Sequence, residues 1–219
     1  MDERKLVEEI TRRVLARLQE QGAAQDPDYL PVGVSVRHVH VSQADLEVLY
    51  GPGHQLTPLR DLYQEGEFAA KEVVALVGPK MRALENVRIL GPVRKRTQVE
   101  VSRTDAIYLG INPPVRASGD LAGSSPITLV GPKGTLVLSE GCIVANRHIH
   151  MSPKDAERFG LQDNDLVQVE VLGEKGLIFN NVQVRVKDNF RLEMHLDTDD
   201  ANASGISTGA AARILGKQK

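Results

Sequence analysis

One six-residue pattern occurs twice in this chain. Residues 36–42 read Val-Arg-His-Val-His-Val-Ser and residues 146–152 read Asn-Arg-His-Ile-His-Met-Ser, so Arg-His-(β-branched)-His-apolar-Ser is used two times in 219 residues. The surroundings repeat as well. Ser42 is followed by Asp45 and Ser152 by Asp155, each a Ser-x-x-Asp signal for a helix start with Asp in place of the usual Glu at the third helical position. Pro153 falls at the first helical position, where its missing N–H costs nothing. Each copy therefore predicts a strand, then His-x-His, then a helix N-terminus. Leu129-Val130-Gly131-Pro132-Lys133 also echoes Leu76-Val77-Gly78-Pro79-Lys80. Two related halves joined near residues 112–126 are the economical reading, with the division placed at 31–115 and 116–219.

From Val32 onward the texture is β. Short runs of Val, Ile, Leu and Thr are punctuated by Gly51-Pro52, Gly78-Pro79, Gly91-Pro92, Gly131-Pro132 and Gly173. Turn signals at this spacing suit barrels or sandwiches. The clearest strands are 73–77, 87–90, 98–101, 128–130, 136–138, 166–171 and 182–186. The start of the chain differs. Leu6, Ile10, Val14 and Leu18 recur every four positions among charged residues, which predicts an amphipathic helix within residues 1–20. The polar stretch at 21–30, with Gly22 and Pro27, reads as a linker. The apolar stripe of such a helix needs a cover, which its own domain, a second copy or another protein would supply.

Composition narrows the function classes. The formal net charge is -2 and aromatic residues make up 4% with no Trp, so neither a global positive field nor a set of base-stacking platforms points to nucleic acid. No apolar run approaches the ~18 residues of a membrane span, and the first ten residues lack the features of a secretory signal, so a cytoplasmic chain is expected. The one cysteine, Cys142, lies in Gly141-Cys142-Ile143-Val144-Ala145 and reads as a small buried apolar residue. Arg88, Arg94, Lys95, Arg96 and Arg103 form a local basic group that suits either a polyphosphate ligand or a solvated strand face. The stretch 202–209, ahead of a predicted short C-terminal helix, offers either backbone N–H groups to an anion or a Ser/Thr cap.

The histidines carry the chemistry. The chain has six, and four sit in the two repeated strings. On a strand, residues two apart point to the same face and lie roughly 7 Å apart along the chain. His38 and His40 therefore project together, as do His148 and His150, while Val39 and Ile149 face a core. Imidazole pairs favour zinc or a similar borderline ion over calcium or magnesium. His195, at a predicted strand end, is the next ligand candidate, and His54 falls in a predicted loop. With no Cys pair, closed thiolate sites are excluded, and an incompletely filled His site is the usual condition of a catalytic metal. The phosphate-loop, dinucleotide, nucleophile-elbow and His-Glu-x-x-His patterns are all missing, which weighs against nucleotide hydrolysis by the common route, hydride transfer and serine acyl chemistry.

The paired strings, together with residues 94–105 (Arg-Lys-Arg-Thr-Gln-Val-Glu-Val-Ser-Arg-Thr-Asp) and 195–202 (His-Leu-Asp-Thr-Asp-Asp-Ala-Asn), resemble the PduL-type phosphotransacylases, the phosphate propanoyltransferases. The likeness covers about residues 30–215. It implies two small β-barrel domains capped by short helices, two zinc ions per chain between them, and reversible acyl transfer between coenzyme A and inorganic phosphate. By the same resemblance His38, His40 and Glu100 would hold one zinc, and His148, His150 and His195 the other. Arg94 would bind phosphate, Ser118 would lie near the site, and Val34, Ser35, Val36, Lys80, Arg88 and Asn202 would contact coenzyme A. The N-terminal helix looks like the segments that direct enzymes into bacterial microcompartments, so shell or cargo proteins are expected partners beside the substrates, and a homo-oligomer is compatible with the stripe. Glu100 as a plain ion-pair partner, a two-metal phosphoester hydrolase and a zinc-held scaffold are the competing readings of the same residues.

Overall fold

Val39 and Ile149, the middle residues of the two His-x-His strings, are completely buried, and each lies in a different apolar core. Those two cores are the insides of two closed six-stranded barrels in the computed structural model, which describes residues 29–218. The predicted N-terminal helix and most of the linker lie outside the described residues.

In the first barrel, β2 (His38–His40) runs parallel to β5 (Ala83–Gly91) on one side and antiparallel to β6 (Gln98–Glu100) on the other. The ring continues from β6 to β9 (Thr135–Ala145), β8 (Ser125–Val130) and β4 (Phe68–Val77), which closes on β5. Two short strands, β3 (Pro58–Asp61) and β7 (Val115–Arg116), flank β4 and β9. The second barrel copies this plan. Here β10 (His148–Met151) runs parallel to β12 (Leu177–Val186) and antiparallel to β13 (Glu193–Asp197). From β13 the ring passes to β1 (Tyr29–Ser35), β14 (Ala211–Lys217) and β11 (Leu166–Val171), which closes on β12.

The two rings correspond strand for strand, and the correspondence corrects the division at 115/116. In chain order the repeat is β1, β2, β4, β5, β6, β8 and then β9, β10, β11, β12, β13, β14, so the sequence halves meet between Val130 and Thr135. The first strand of each half is exchanged: β1 closes the second barrel and β9 the first. Strand pattern fixes which residues face a core but not which strand supplies the neighbour, which is why the exchange is invisible in periodicity. The Leu-Val-Gly-Pro-Lys echo has a different origin. Both glycines close hairpins under a helix end. A Cβ on Gly78 would meet the Leu109 carbonyl at 2.0 Å, and one on Gly131 the Leu49 carbonyl at 2.5 Å, so only glycine fits either turn.

Four short helices cap the barrels among the described residues, α1 (Gln43–Tyr50), α2 (Arg103–Leu109), α3 (Pro153–Phe159) and α4 (Thr198–Ser204), whereas the expected C-terminal helix is the strand β14, whose two edges are taken up by β1 and β11. The predicted starts hold. Ser42 and Ser152 each accept the backbone N–H of the Asp three residues on, and Ser152 and Asp155 form a reciprocal box. Ser102 with Asp105 makes the same box before α2, and Asp197 caps α4.

The chain crosses between barrels at 36–37 and again at 146–147. Both crossings are pinned by the repeated arginine. Arg37 reaches Asp105 at 2.7 Å and Arg147 reaches Asp200 at 3.4 Å, each Asp being the third residue of its helix. Asp199 accepts the Thr104 N–H at 2.8 Å, which sets the N-termini of α2 and α4 against each other.

Candidate active site

Burial of Val39 and Ile149 turns their neighbouring histidines out of the barrels and toward the crossings. His38 Nδ1 donates to the Val36 carbonyl at 2.9 Å and His148 Nδ1 to the Asn146 carbonyl at 2.8 Å. A carbonyl can only accept, so both rings carry their proton on Nδ1 and present Nε2 as a lone pair. The repeat thus fixes the tautomer as well as the position of the histidine.

Register supplies the rest of each cluster. His38 is paired with Glu100 across β2–β6, and His148 with His195 across β10–β13, so Glu100 and His195 are equivalent positions of the repeat. The potential ligand atoms of His38, His40 and Glu100 lie within 4.8 Å of one another, and so do those of His148, His150 and His195. Within the second cluster the His148 and His195 rings stack with an interplanar angle of 2° at 4.9 Å, and His150 lies 4.5 Å from His195. His40 Nδ1, both ring nitrogens of His150 and Nε2 of His195 are buried without a hydrogen-bond partner. Buried ring nitrogens left unmatched and converging are what a cation would satisfy, so the donor sets fit metal ions. Two His-rich clusters able to hold metal ions are therefore present.

The electrostatics agree. Burial, then the neighbouring His195, holds the His148 imidazole down to about 3. His150 and His40 are likewise pushed well down, first by burial and then by the adjacent imidazoles. Burial alone would raise Glu100, but the facing imidazoles of His38, His40 and His148 and the Arg94 guanidinium hold its carboxyl well below the ordinary range. Neutral imidazoles and an ionised carboxylate are the protonation states that ligate.

Both clusters open on one cleft, lined by His38 and Glu100 from one barrel, His148 and His195 from the other, and the crossings at Val36–Arg37 and Ala145–Asn146. Arg94 stands beside the first cluster. Its backbone N–H donates to Val41 at 2.8 Å, and its guanidinium donates to Ser118 Oγ at 3.2 Å and meets Glu67 at 3.4 Å. Gln98 Nε2 also donates to Ser118, at 2.8 Å. The structure thus brings together Arg94, Ser118 and the six ligand candidates.

The expected coenzyme A contacts are more scattered. Ser35 and Val36 line the cleft, whereas Val34, Lys80, Arg88 and Asn202 do not. Val34 is tied by its N–H to Thr208 Oγ1 at 3.1 Å. Arg88, in register with His38, spends its guanidinium on the Ala70 and Lys71 carbonyls at 3.0 and 2.9 Å. Lys80 packs against Gly110 at the end of α2, and Asn202 on α4 accepts Lys175 Nζ through its carbonyl at 3.2 Å.

Two residues were missed by sequence reasoning. Arg185 on β12 is in register with His150, and its charge acts on Glu100, so a second guanidinium overlooks the site. Glu193 on β13 is paired with His150 on the other side and is buried. A signal existed for both. Val182, Val184 and Val186 alternate inward, which turns Arg185 outward, and Glu193 is two residues from His195 and so shares its face.

Two barrels that exchange strands thus aim paired histidine clusters, candidate metal sites, into one cleft with an arginine beside them. Comparison with known sequences makes this specific. The profile of the phosphate propanoyltransferase family matches residues 31–207. A phosphate propanoyltransferase of Lachnoclostridium phytofermentans is 54% identical over 209 residues, covering 95% of this chain and 98% of its own length. Those of Thermotoga maritima and Salmonella typhimurium are 57% identical over 185 residues (84% of this chain, 88% of the relative) and 47% over 216 (98% and 99%). The chain belongs to the phosphate propanoyltransferase family and is an acyltransferase.

Proposed function

We propose that this chain interconverts acyl-coenzyme A plus inorganic phosphate and acyl phosphate plus coenzyme A, on propanoyl or acetyl groups, by direct attack of phosphate at a site holding two zinc ions. The observation that carries the reading is the facing pair of histidine clusters on one cleft with Arg94 at its side. His38, His40 and Glu100 would hold one ion and His148, His150 and His195 the other. When bound, such ions supply Lewis-acid stabilisation of charge that develops on oxygen and sulfur.

The chain's own residues do the positioning. Arg94 offers paired N–H donors to two oxygens of phosphate, a match of planar fork to tetrahedral anion that a lysine lacks. Ser118 and Gln98 buttress it. Arg185 adds positive charge where the anion must enter, and Ser35 and Val36 contact the coenzyme A at the first crossing. The chemistry is then a single displacement: a phosphate oxygen bonds to the thioester carbonyl carbon, the C–S bond breaks, and the thiolate leaves with the electron pair. A covalent acyl-enzyme is disfavoured by the two obvious nucleophiles. Cys142 is completely buried in the first core, and burial pushes its thiol up to about 12. Ser118 Oγ accepts from both Arg94 and Gln98, neither of which is a base. Residues 1–20 are the proposed docking segment for microcompartment proteins.

The test is release of free thiol from propanoyl- or acetyl-coenzyme A. Release that needs phosphate, with initial rates requiring both substrates bound before either product leaves, is the expected result. Thiol release without phosphate would mark a hydrolase, and isotope exchange into coenzyme A without phosphate would mark an acyl-enzyme.

A further inference from the structure

We propose that Glu193 is a positioning residue of the second cluster, a buried carboxylate that sets His195 toward the metal site and raises that site's affinity for a divalent cation. The inference rests on reading the two clusters as metal sites. Glu193 Oε2 stands 3.0 Å from His195 Nε2. That nitrogen makes no hydrogen bond, so the carboxylate lies beside it rather than along its N–H axis.

The carboxylate is held from two sides. Gln64, from the loop between β3 and β4 of the other barrel, donates Nε2 to Glu193 Oε2 at 3.1 Å. Gln64 is itself fixed, because its Nε2 also donates to the Arg191 carbonyl at 3.0 Å and its Oε1 accepts the Arg191 N–H at 3.1 Å. On the opposite side a Cβ on Gly33 would come within 2.5 Å of Glu193 Oε1, so the glycine on β1 is what gives the carboxylate its room.

Charge explains why such a group belongs here. Three neutral imidazoles leave the full charge of a divalent ion uncompensated in a buried place, whereas the first cluster has Glu100 among its ligands. At the position equivalent to Glu193 the first barrel has Gln98, which donates to Glu100. Each barrel therefore places one carboxylate at its cluster: as a ligand candidate in the first, and one step behind the ligands in the second. Partners of this kind are worth about 10–100-fold in metal affinity.

The experiment is titration of the metal-free full chain with Zn2+ against a chromogenic chelator, with elemental analysis after dialysis, on wild type, Glu193→Gln, Gly33→Ala and Gln64→Ala. The expected result is two sites in wild type and, in folded Glu193→Gln, one of them weakened by roughly 10–100-fold with the other unchanged. Gly33→Ala should weaken the same site while leaving the carboxylate chemically intact. If Glu193→Gln fails to fold, Gln64→Ala carries the test, since it removes the hydrogen bond without touching either apolar core. Two sites of wild-type affinity in the folded variants would overturn the role of Glu193 and leave the metal reading standing. A wild-type chain that takes up no divalent ion would overturn the metal reading itself.

Discussion

The first barrel sets Glu100 opposite His38, and the second sets His195 opposite His148, at the same point of the same strand plan. A divalent ion among two neutral imidazoles and a carboxylate would keep one positive charge, and one among three neutral imidazoles would keep two. The second site would thus be the stronger electrophile and the first the better tempered, although the backbone beneath them is a repeat. Geometry was retained in both halves while charge diverged. The supporting residues diverged in step, with an amide behind the carboxylate in one barrel and a carboxylate behind the imidazole in the other.

Removing the ligands one barrel at a time is the strongest challenge to this contrast. Replacing His148 and His150 by Ala should cut metal content from two ions per chain to one and turnover by about 10³-fold or more, as should replacing His38 and His40. Equal activity in either double variant would mean that one barrel alone carries the reaction. The next effect belongs to Arg94 of the first barrel, whose counterpart in the repeat is Lys187, each donating its N–H to the carbonyl after the second histidine of its string. Arg94→Ala should cost about 10²-fold in turnover and raise the phosphate requirement, and Arg94→Lys should recover part of it, because a point charge replaces the fork.

A smaller effect separates the barrels by acid. In the first barrel Glu72 is buried; burial alone would raise its carboxyl, but hydrogen bonds from the Thr57 N–H and hydroxyl and from His54 hold it below the ordinary 4.5. A carboxyl depressed in the folded state contributes stability that is present above its unfolded pKa and is lost as pH falls below it. The melting temperature of Glu72→Gln should therefore fall less steeply than wild type as pH drops from 4.5, and parallel curves would refute this. The smallest effects are expected from Cys142→Ala and from deletion of residues 1–26, neither of which removes a proposed ligand. Each should leave turnover in solution within about twofold of wild type, the range of changes made away from functional groups.

Much of the site was legible because its residues are local to one another. His-x-His on a strand, Ser-x-x-Asp before a helix and apolar residues between the histidines are short-range signals, and the structure has all three. Glu100 and His195 stood within resembling motifs, but their equivalence emerges only from cross-strand register. Arg185 and Glu193 show the limit. Alternation puts both on the outward face, yet their approach to His150 depends on β12 and β13 lying on either side of β10, a long-range pairing that no local pattern encodes. The exchanged first strands were hidden for the same reason. The Val34, Lys80, Arg88 and Asn202 assignments rest on resemblance, and each has another polar or packing partner in the fold.

The exchange of β1 has a consequence for how the chain is made. Of the described strands, β1 is the first to be synthesised, and its two neighbours, β13 and β14, are the last. The N-terminal strand must wait for nearly the whole polypeptide before either of its edges is covered, and the first barrel cannot close until β9 has been translated. Closure of the second barrel therefore waits for β14 and is governed by long loop closures of the kind that slow folding. A released chain cut short near residue 210 would lack β14 and hold a complete first barrel beside an open second sheet, with bare edges on β1 and β11 ready to pair with another chain.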